Sequence, residues 1–395
     1  MDIILTLLML FLGTGSNQNE GDNVFKMLAA TYINAASGQQ IAGPDLHALV
    51  SKNKQESTVK KDPQPDAPAI KGIYVTSHSA GGARMPSLLQ LVNETDLNSM
   101  VIDIKDDNGY ITYATTTPEL LEYGSSKSFI GDIQQLMAEL NRNNIYPIAR
   151  IVVFKDTVLA VKHPQLSFLQ KDGTVWKNGR GESFVNPYKK EVWDYNIAVA
   201  KEAAKLGFKE IQFDYVRFPE GFDKKEETLN YEKTNSSRVE VVTGFVKYAR
   251  EQLEPLGVRV SIDIFGYAAS VPAAEGIGQD FVQISNDVHV ISPMIYPSHY
   301  STGWFNLKTP DRSPYETITG AIKDTQKKLA DSNELKPIIR PWIQDFTASW
   351  LGSGNYIKYG KAEVEAQIKA LHDSGVTEYL LWNAGNKYSP GVDYK

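Results

Sequence analysis

From residue 70 to the C-terminus, short runs of β-branched and aromatic residues alternate with longer stretches whose apolar positions recur at helical spacing. The runs are IKGIYVT (70–76), SMVIDIK (99–105), IYPIARIVVF (145–154), KEIQFDYV (209–216), VRVSIDIFG (258–266), DVHVISPMIY (287–296), KPIIRPWIQDF (336–346) and EYLLWNA (378–384). Between them, helical patterns are clearest over 128–143, 189–207, 239–257, 315–331 and 362–375, and several end at glycine. Strands alternating with helices predict a parallel sheet, and eight such units fit an α/β fold of the (β/α)8 TIM-barrel type with enlarged loops. The competing doubly wound sheet lacks its usual support. No G-x-G-x-x-G follows the first strand, and no phosphate-binding G-x-x-x-x-G-K-[ST] occurs, so no nucleotide is expected.

Upstream of residue 70 the pattern changes. IILTLLMLFL (3–12) is too short to span a membrane but suits the core of an export signal, so residues 1–23 read as a signal peptide or short membrane anchor. Met1-Asp2 supplies no positive charge and GTGSNQ no A-x-A site, which leaves cleavage, retention or a buried helix open. Residues 24–50 contain a helical stretch, VFKMLAATYINAA, to which no role attaches. SKNKQESTVKKDPQPDAPA (51–69) has little to bury and predicts a disordered linker, leaving 70–395 as the barrel. The expected location is secreted or cell-surface, with membrane contact only through the N-terminal segment.

Composition narrows the chemistry. Among 395 residues, 41 Lys and Arg face 47 Asp and Glu, a formal charge of −6 without basic clusters, which argues against a nucleic-acid partner. The absence of cysteine removes thiolate nucleophiles, disulfides and cysteine-ligated metals. His47, His78, His163, His289, His299 and His372 form no H-x-x-x-H pair, and no G-x-S-x-G is present, so neither a zinc hydrolase nor a serine esterase is expected. The acidic loop DIKDDNGY (103–110) has the density to hold a hard cation, but Asp107-Asn108-Gly109 reads more simply as a turn; no metal or cofactor is expected.

Strand alternation shows where charge should face. Gln212 and Asp214 share one face of their strand and Ile211, Phe213 and Tyr215 the other; the same parity pairs Asp103 with Val101, Arg150 with Ile148 and Asp263 with Ser261. These charges then converge on the barrel axis near the strands' C-terminal ends, where barrel enzymes build their sites. In IQFDYVRFPEG (211–221), Asp214 suits a nucleophile or stabilising carboxylate, kept charged by Arg150 or Arg217. Asp263 suits a general acid/base if apolar neighbours raise its pKa, with Glu220 as the reserve acid. A rim salt bridge and a backbone-bonded buried aspartate are the plainer readings of Asp214 and Asp263. Tyr74, Phe218, Tyr267, Tyr296, Tyr300, Trp304, Trp342 and Trp382 cluster at the same strand ends. Rings suit the C–H faces of a sugar while Asp103, Arg150, Arg217, Gln344 and Asn383 bond its hydroxyls, and Tyr267, Tyr296, Trp342 and Trp382 are the rings assigned to substrate. The polar loop 171–188 adds Trp176 and Asn186, though a solvated hairpin explains it equally.

KGIYVTSHSAG (71–81), VIDIKDDNGYITY (101–113), IARIVVFKD (148–156), IQFDYVRFP (211–219), SIDIFGY (261–267) and ISPMIYPSHY (291–300) resemble the bacterial putative glycosyl hydrolase domain family, related to α-amylase-like barrels. The resemblance implies a (β/α)8 fold and glycosidase activity, with Asp214 at the nucleophile position by analogy. Amylase-like relatives place a glutamate on strand five and an arginine two residues before the nucleophile; here those positions hold Asp263 and Gln212. The expected function is a glycoside hydrolase acting by two carboxylates on an extracellular or cell-envelope polysaccharide. A non-catalytic carbohydrate-binding barrel is the alternative.

Overall fold

The structure is a computed structural model and describes residues 62–330 and 336–395. The expected signal or anchor (1–23), the segment 24–50 and the linker residues 51–61 lie outside the described residues. Among the described residues, eleven strands form one sheet: β1 (Lys71–Val75), β2 (Ser99–Lys105), β3 (Tyr110–Tyr113), β4 (Ser125–Ile130), β5 (Tyr146–Val152), β6 (Glu210–Asp214), β7 (Arg259–Phe265), β8 (Val290–Met294), β9 (Ile338–Ile339), β10 (Trp342–Gln344) and β11 (Tyr379–Trp382). Parallel pairing runs β1-β2-β5-β6-β7-β8-β10-β11 and closes because β1 pairs with both β2 and β11, which makes a (β/α)8 TIM barrel.

Three departures from the sequence pattern have local causes. The run 336–346 is one strand interrupted at Arg340-Pro341: β9 pairs with the lower part of β8 and β10 with Met294 at its upper end. Tyr110–Tyr113 turns back antiparallel to β2 and carries β4 beside it, so residues 128–130 of the expected helix are strand and the helix begins at Ile133. The end of the expected linker is also ordered. Asp62 accepts from Arg259 Nε (2.9 Å), Gln64 Nε2 donates to Gly257 O (2.6 Å), and Ala67 packs on the barrel interior. A charged arginine at the open foot of β7 recruits the passing chain, which composition could not reveal.

Alternation along the strands separates two apolar compartments. Ile102, Ile211, Phe213, Ile262 and Ile343 face the helices, whereas Tyr74, Val101, Ile148, Tyr296 and Trp342 fill the barrel axis. Below them, fully buried Arg340 bonds Glu210 (2.7 Å) and Glu378 (2.7 Å), closing the floor.

His289, at the same end, accepts the Val260 amide on Nδ1 at 3.0 Å. Burial, reinforced by Arg250, pushes its pKa down to about 4 from 6.5. A base with a depressed folded pKa contributes stability above 6.5 that is lost as pH falls toward 4. His289→Asn, which keeps an acceptor but cannot titrate, is expected to flatten the pH 6.5 to 4 part of the stability curve by up to about 3 kcal/mol, read by denaturant melts at several pH values.

Candidate functional site

The C-terminal ends of β2, β5, β6 and β7 bring the charged residues together through register. Asp103 lies opposite Arg150, and Arg150 opposite Gln212. One step beyond the Phe213–Ile262 pair, Asp214 and Asp263 become neighbours on adjacent strands. Arg150, 1% exposed, spreads its guanidinium among the acids: Nε and Nη2 donate to Asp214 Oδ2 at 3.1 and 2.6 Å, and Nη1 donates to Asp103 Oδ1 at 2.7 Å. Gln212 reaches Ser292 Oγ at 3.2 Å, and the cation on Asp214 comes from the neighbouring strand.

The backbone after Asp214 is strained. Tyr215 has φ +53°, a left-handed conformation that is costly for an aromatic residue, and its amide donates to Asp214 Oδ1 at 2.6 Å. The strain turns the chain so that Asp214 carries both the Arg150 fork and a backbone donor.

The acidic loop has a distinct use for each carboxylate. Asp103 accepts from Tyr74 Oη at 2.5 Å as well as from Arg150, and burial outweighs Arg150 to push its pKa up to about 6. Asp106 Oδ1 accepts the amides of Asn108, Gly109 and Tyr110 and so forms the turn. Gly109 sits at φ +101°, and a Cβ there would meet Asp156 Oδ1 at 1.9 Å. Asp107 then projects to Lys155 Nζ (2.7 Å) and Arg150 (3.4 Å); burial opposes its charge, but the two cations hold its pKa far below the usual carboxylate range. Lys155 also lies 4.0 Å over the Tyr215 ring. In the sequence Asp107 reads as a turn residue, and nothing beyond the acids beside a strand end marks Lys155 or the strain at Tyr215.

Asp263 is 2% exposed and accepts from Trp342 Nε1 at 2.7 Å. Burial, then the charge of Asp214, raises its pKa well above the ordinary value, against the opposing Trp342 bond and Arg150. The same pair of carboxylates, after burial, raises Tyr296.

Several expected substrate contacts are structural. Trp342 is 1% exposed and orients Asp263, so it offers no face to a sugar. Gln344 is fully buried, accepts from Ser298 N and Oγ, and donates to Asp311 and Phe346 O. Asn383 donates to Asp345 O and Lys387 O and accepts from the Gly385 amide, pinning its own loop. Asn186 is buried with its amide on Glu232 O, and Phe218, Tyr300 and Trp176 pack with the core. These roles depend on loop packing, which periodicity does not carry.

Of the other assigned rings, Tyr267 and Trp382 lie half-buried at the rim, whereas Tyr296 is buried beneath it. Trp382 stacks on Tyr74 at 4.1 Å and 16°, with Arg150 5.5 Å from its ring. Across the mouth, Tyr267 stacks on Phe265, and Arg217 lies over Tyr215 and Phe265. Arg217 bonds Phe218 O and Glu220 (3.4 Å), whereas the cation bound to Asp214 is Arg150. Glu220 is 63% exposed, outside the buried acidic group. Among the described residues, no cluster of three or more His, Asp or Glu has the arrangement of a metal site.

The barrel resembles solved structures. The glycoside hydrolase domain of PgaB (BpsB) from Bordetella bronchiseptica aligns at TM-score 0.55 and 12% identity over 80% of this chain and 94% of that one, a likeness of fold. A hypothetical protein from Ruminiclostridium thermocellum is 37% identical over 48% of this chain and 96% of its own, at TM-score 0.44. The spore cortex-lytic enzyme SleL from Bacillus megaterium is 11% identical over 82% and 72%, at TM-score 0.47. No curated protein is significantly similar. A family model described as a putative glycosyl hydrolase domain matches residues 72–388, and the chain accordingly belongs to that family of glycosidases.

Proposed function

We propose that this glycosidase cleaves an extracellular or cell-envelope polysaccharide with Asp214 and Asp263 as its two carboxylates. The observation that carries the reading is the Arg150 fork on Asp214, set beside an Asp263 whose burial and acidic neighbour favour the protonated form. Asp214 attacks or stabilises the oxocarbenium-like centre, and Asp263 protonates the leaving oxygen. With Oδ1 accepting from Trp342, the transferable proton belongs on Oδ2. Neighbouring positions on strands about 4.8 Å apart favour the short carboxyl separation of retaining enzymes. Glu220, exposed on the rim, is the reserve donor. The apolar run at 3–12 supports an exported or surface-bound protein.

The test is to incubate the full chain with bacterial and plant polysaccharides and to follow products by mass spectrometry and the first-formed anomer by proton NMR. Oligosaccharides released with net retention are expected, and net inversion would remove Asp214 as nucleophile. A second reading, a non-catalytic carbohydrate-binding barrel, is favoured by the small exposure of Asp263. Binding of a glycan without any release of reducing ends would establish it.

Trp342→Phe gives a sharper readout on the acid. The indole N–H favours the charged form of Asp263, so its loss raises the Asp263 pKa further. The alkaline limb of kcat/KM is expected to move to higher pH while phenylalanine keeps most of the packing. An unmoved limb would transfer the acid role to another group.

A further inference from the structure

We propose that Trp350 forms an outer sugar-binding subsite, so that the substrate is a polysaccharide chain extending from the carboxylates across the rim. The proposal rests on the glycosidase reading above and specifies the substrate that reading takes.

Trp350 lies in the loop that follows β10, on the same end of the barrel as Asp214. It is 65% exposed, the aromatic among the large exposed apolar side chains of the described residues. Its ring lies nearly parallel to Phe346, at 5.9 Å and 20°. Phe346 in turn meets Tyr296 at 5.8 Å, and Tyr296 meets Trp382 at 6.5 Å. Trp382 stacks on Tyr74 and stands 5.5 Å from the guanidinium that holds Asp214. Ring contacts therefore connect the acidic centre to the open indole, through the buried Tyr296 and the half-buried Phe346.

The loop is held in place. Arg312 Nη1 donates to Gly354 O at 3.2 Å, the Ile357 amide to Asp311 Oδ2 at 3.2 Å, and the Tyr359 amide to Thr347 Oγ1 at 3.1 Å. Gly352 and Gly354, both at positive φ, make the bends between these anchors. The indole is thus presented in a fixed orientation, which lowers the entropic cost of binding. Leaving its outer face in water gains nothing for folding, whereas a pyranose offers a flat C–H face to stack there and hydroxyls that stay wet. Its place at the carboxylate end of the barrel, stacked on the half-buried Phe346, selects a glycan chain over an unrelated apolar partner.

The test uses Asp214→Asn protein, so that binding is measured without turnover, in affinity electrophoresis through gels containing amylose, barley β-glucan, arabinoxylan or glycol chitin. Retardation in at least one polymer is expected, with Trp350→Ala weakening it about tenfold and Trp350→Phe restoring most of it. In the active protein, Trp350→Ala should raise KM for the long chain and leave kcat on the shortest cleaved oligosaccharide unchanged, with the melting temperature unaltered. Equal retardation of Trp350→Ala and its parent, with hydrolysis intact, would overturn the subsite while sparing the glycosidase assignment. Loss of self-association in Trp350→Ala, with polymer affinity unchanged, would assign the indole to contact between copies instead. Absence of both retardation and wild-type cleavage in all four polymers would count against both readings.

Discussion

Asp214→Asn is expected to lower kcat/KM on any cleaved glycan by at least about 10³-fold, the scale of losing a positioned nucleophile or acid/base group. The fold should survive. Arg150 keeps its bond to Asp103 and its approach to Asp107, so the buried cation remains compensated, and the loss of charged hydrogen bonds is limited to about 1.5–3 kcal/mol. A second signature separates catalysis from scaffolding. After burial, the charge of Asp214 is the leading cause that raises Asp263. Removing that charge lowers the Asp263 pKa, so the alkaline limb of any residual activity moves to lower pH, opposite to the shift expected for Trp342→Phe. Wild-type kcat in the asparagine variant would exclude Asp214 from the reaction.

Arg150→Met should have the largest effect on stability. The residue is 1% exposed and is the shared partner of Asp103, Asp214 and Asp107. Methionine fills much of the volume but leaves buried carboxylates without their cation, a defect of about 3–5 kcal/mol. Orphaned acids have folded pKa values above their unfolded ones, so their contribution is most favourable below the unfolded pKa and is lost as pH rises through the folded one. The variant should accordingly lie closest to wild type in acid and furthest from it near neutral pH, as measured by chemical denaturation. A loss under about 1 kcal/mol at neutral pH would mean that solvent reaches the acids and that the guanidinium is not their main counterion. Arg150→Lys should not rescue activity, because one ammonium cannot hold two carboxylates in the geometry of a planar fork.

Much of this arrangement is legible in the sequence. The two-residue period of the strands places Asp103, Arg150, Asp214 and Asp263 on one face, and the repeat of strand and helix places that face inside a barrel. Ile211 and Phe213 against helices, with Val101 and Ile148 on the axis, follow from the same period. Roles at or beyond the strand ends are less legible. Gln344 and Asn383 have the donors a sugar needs, but their loops consume them. Trp342 faces the site as parity requires, yet it lies too deep and spends its N–H on Asp263.

The chain by itself determined the barrel and the face on which charge gathers, because periodicity is local and a strand's side chains have only two directions. Tertiary structure decided which cation serves Asp214, how Asp107 and Lys155 enter the mouth, that residues 62–69 brace the floor, and that one indole stays open at the rim. Each of these depends on distances between segments far apart in sequence, where burial and charge act through space and leave no period to read.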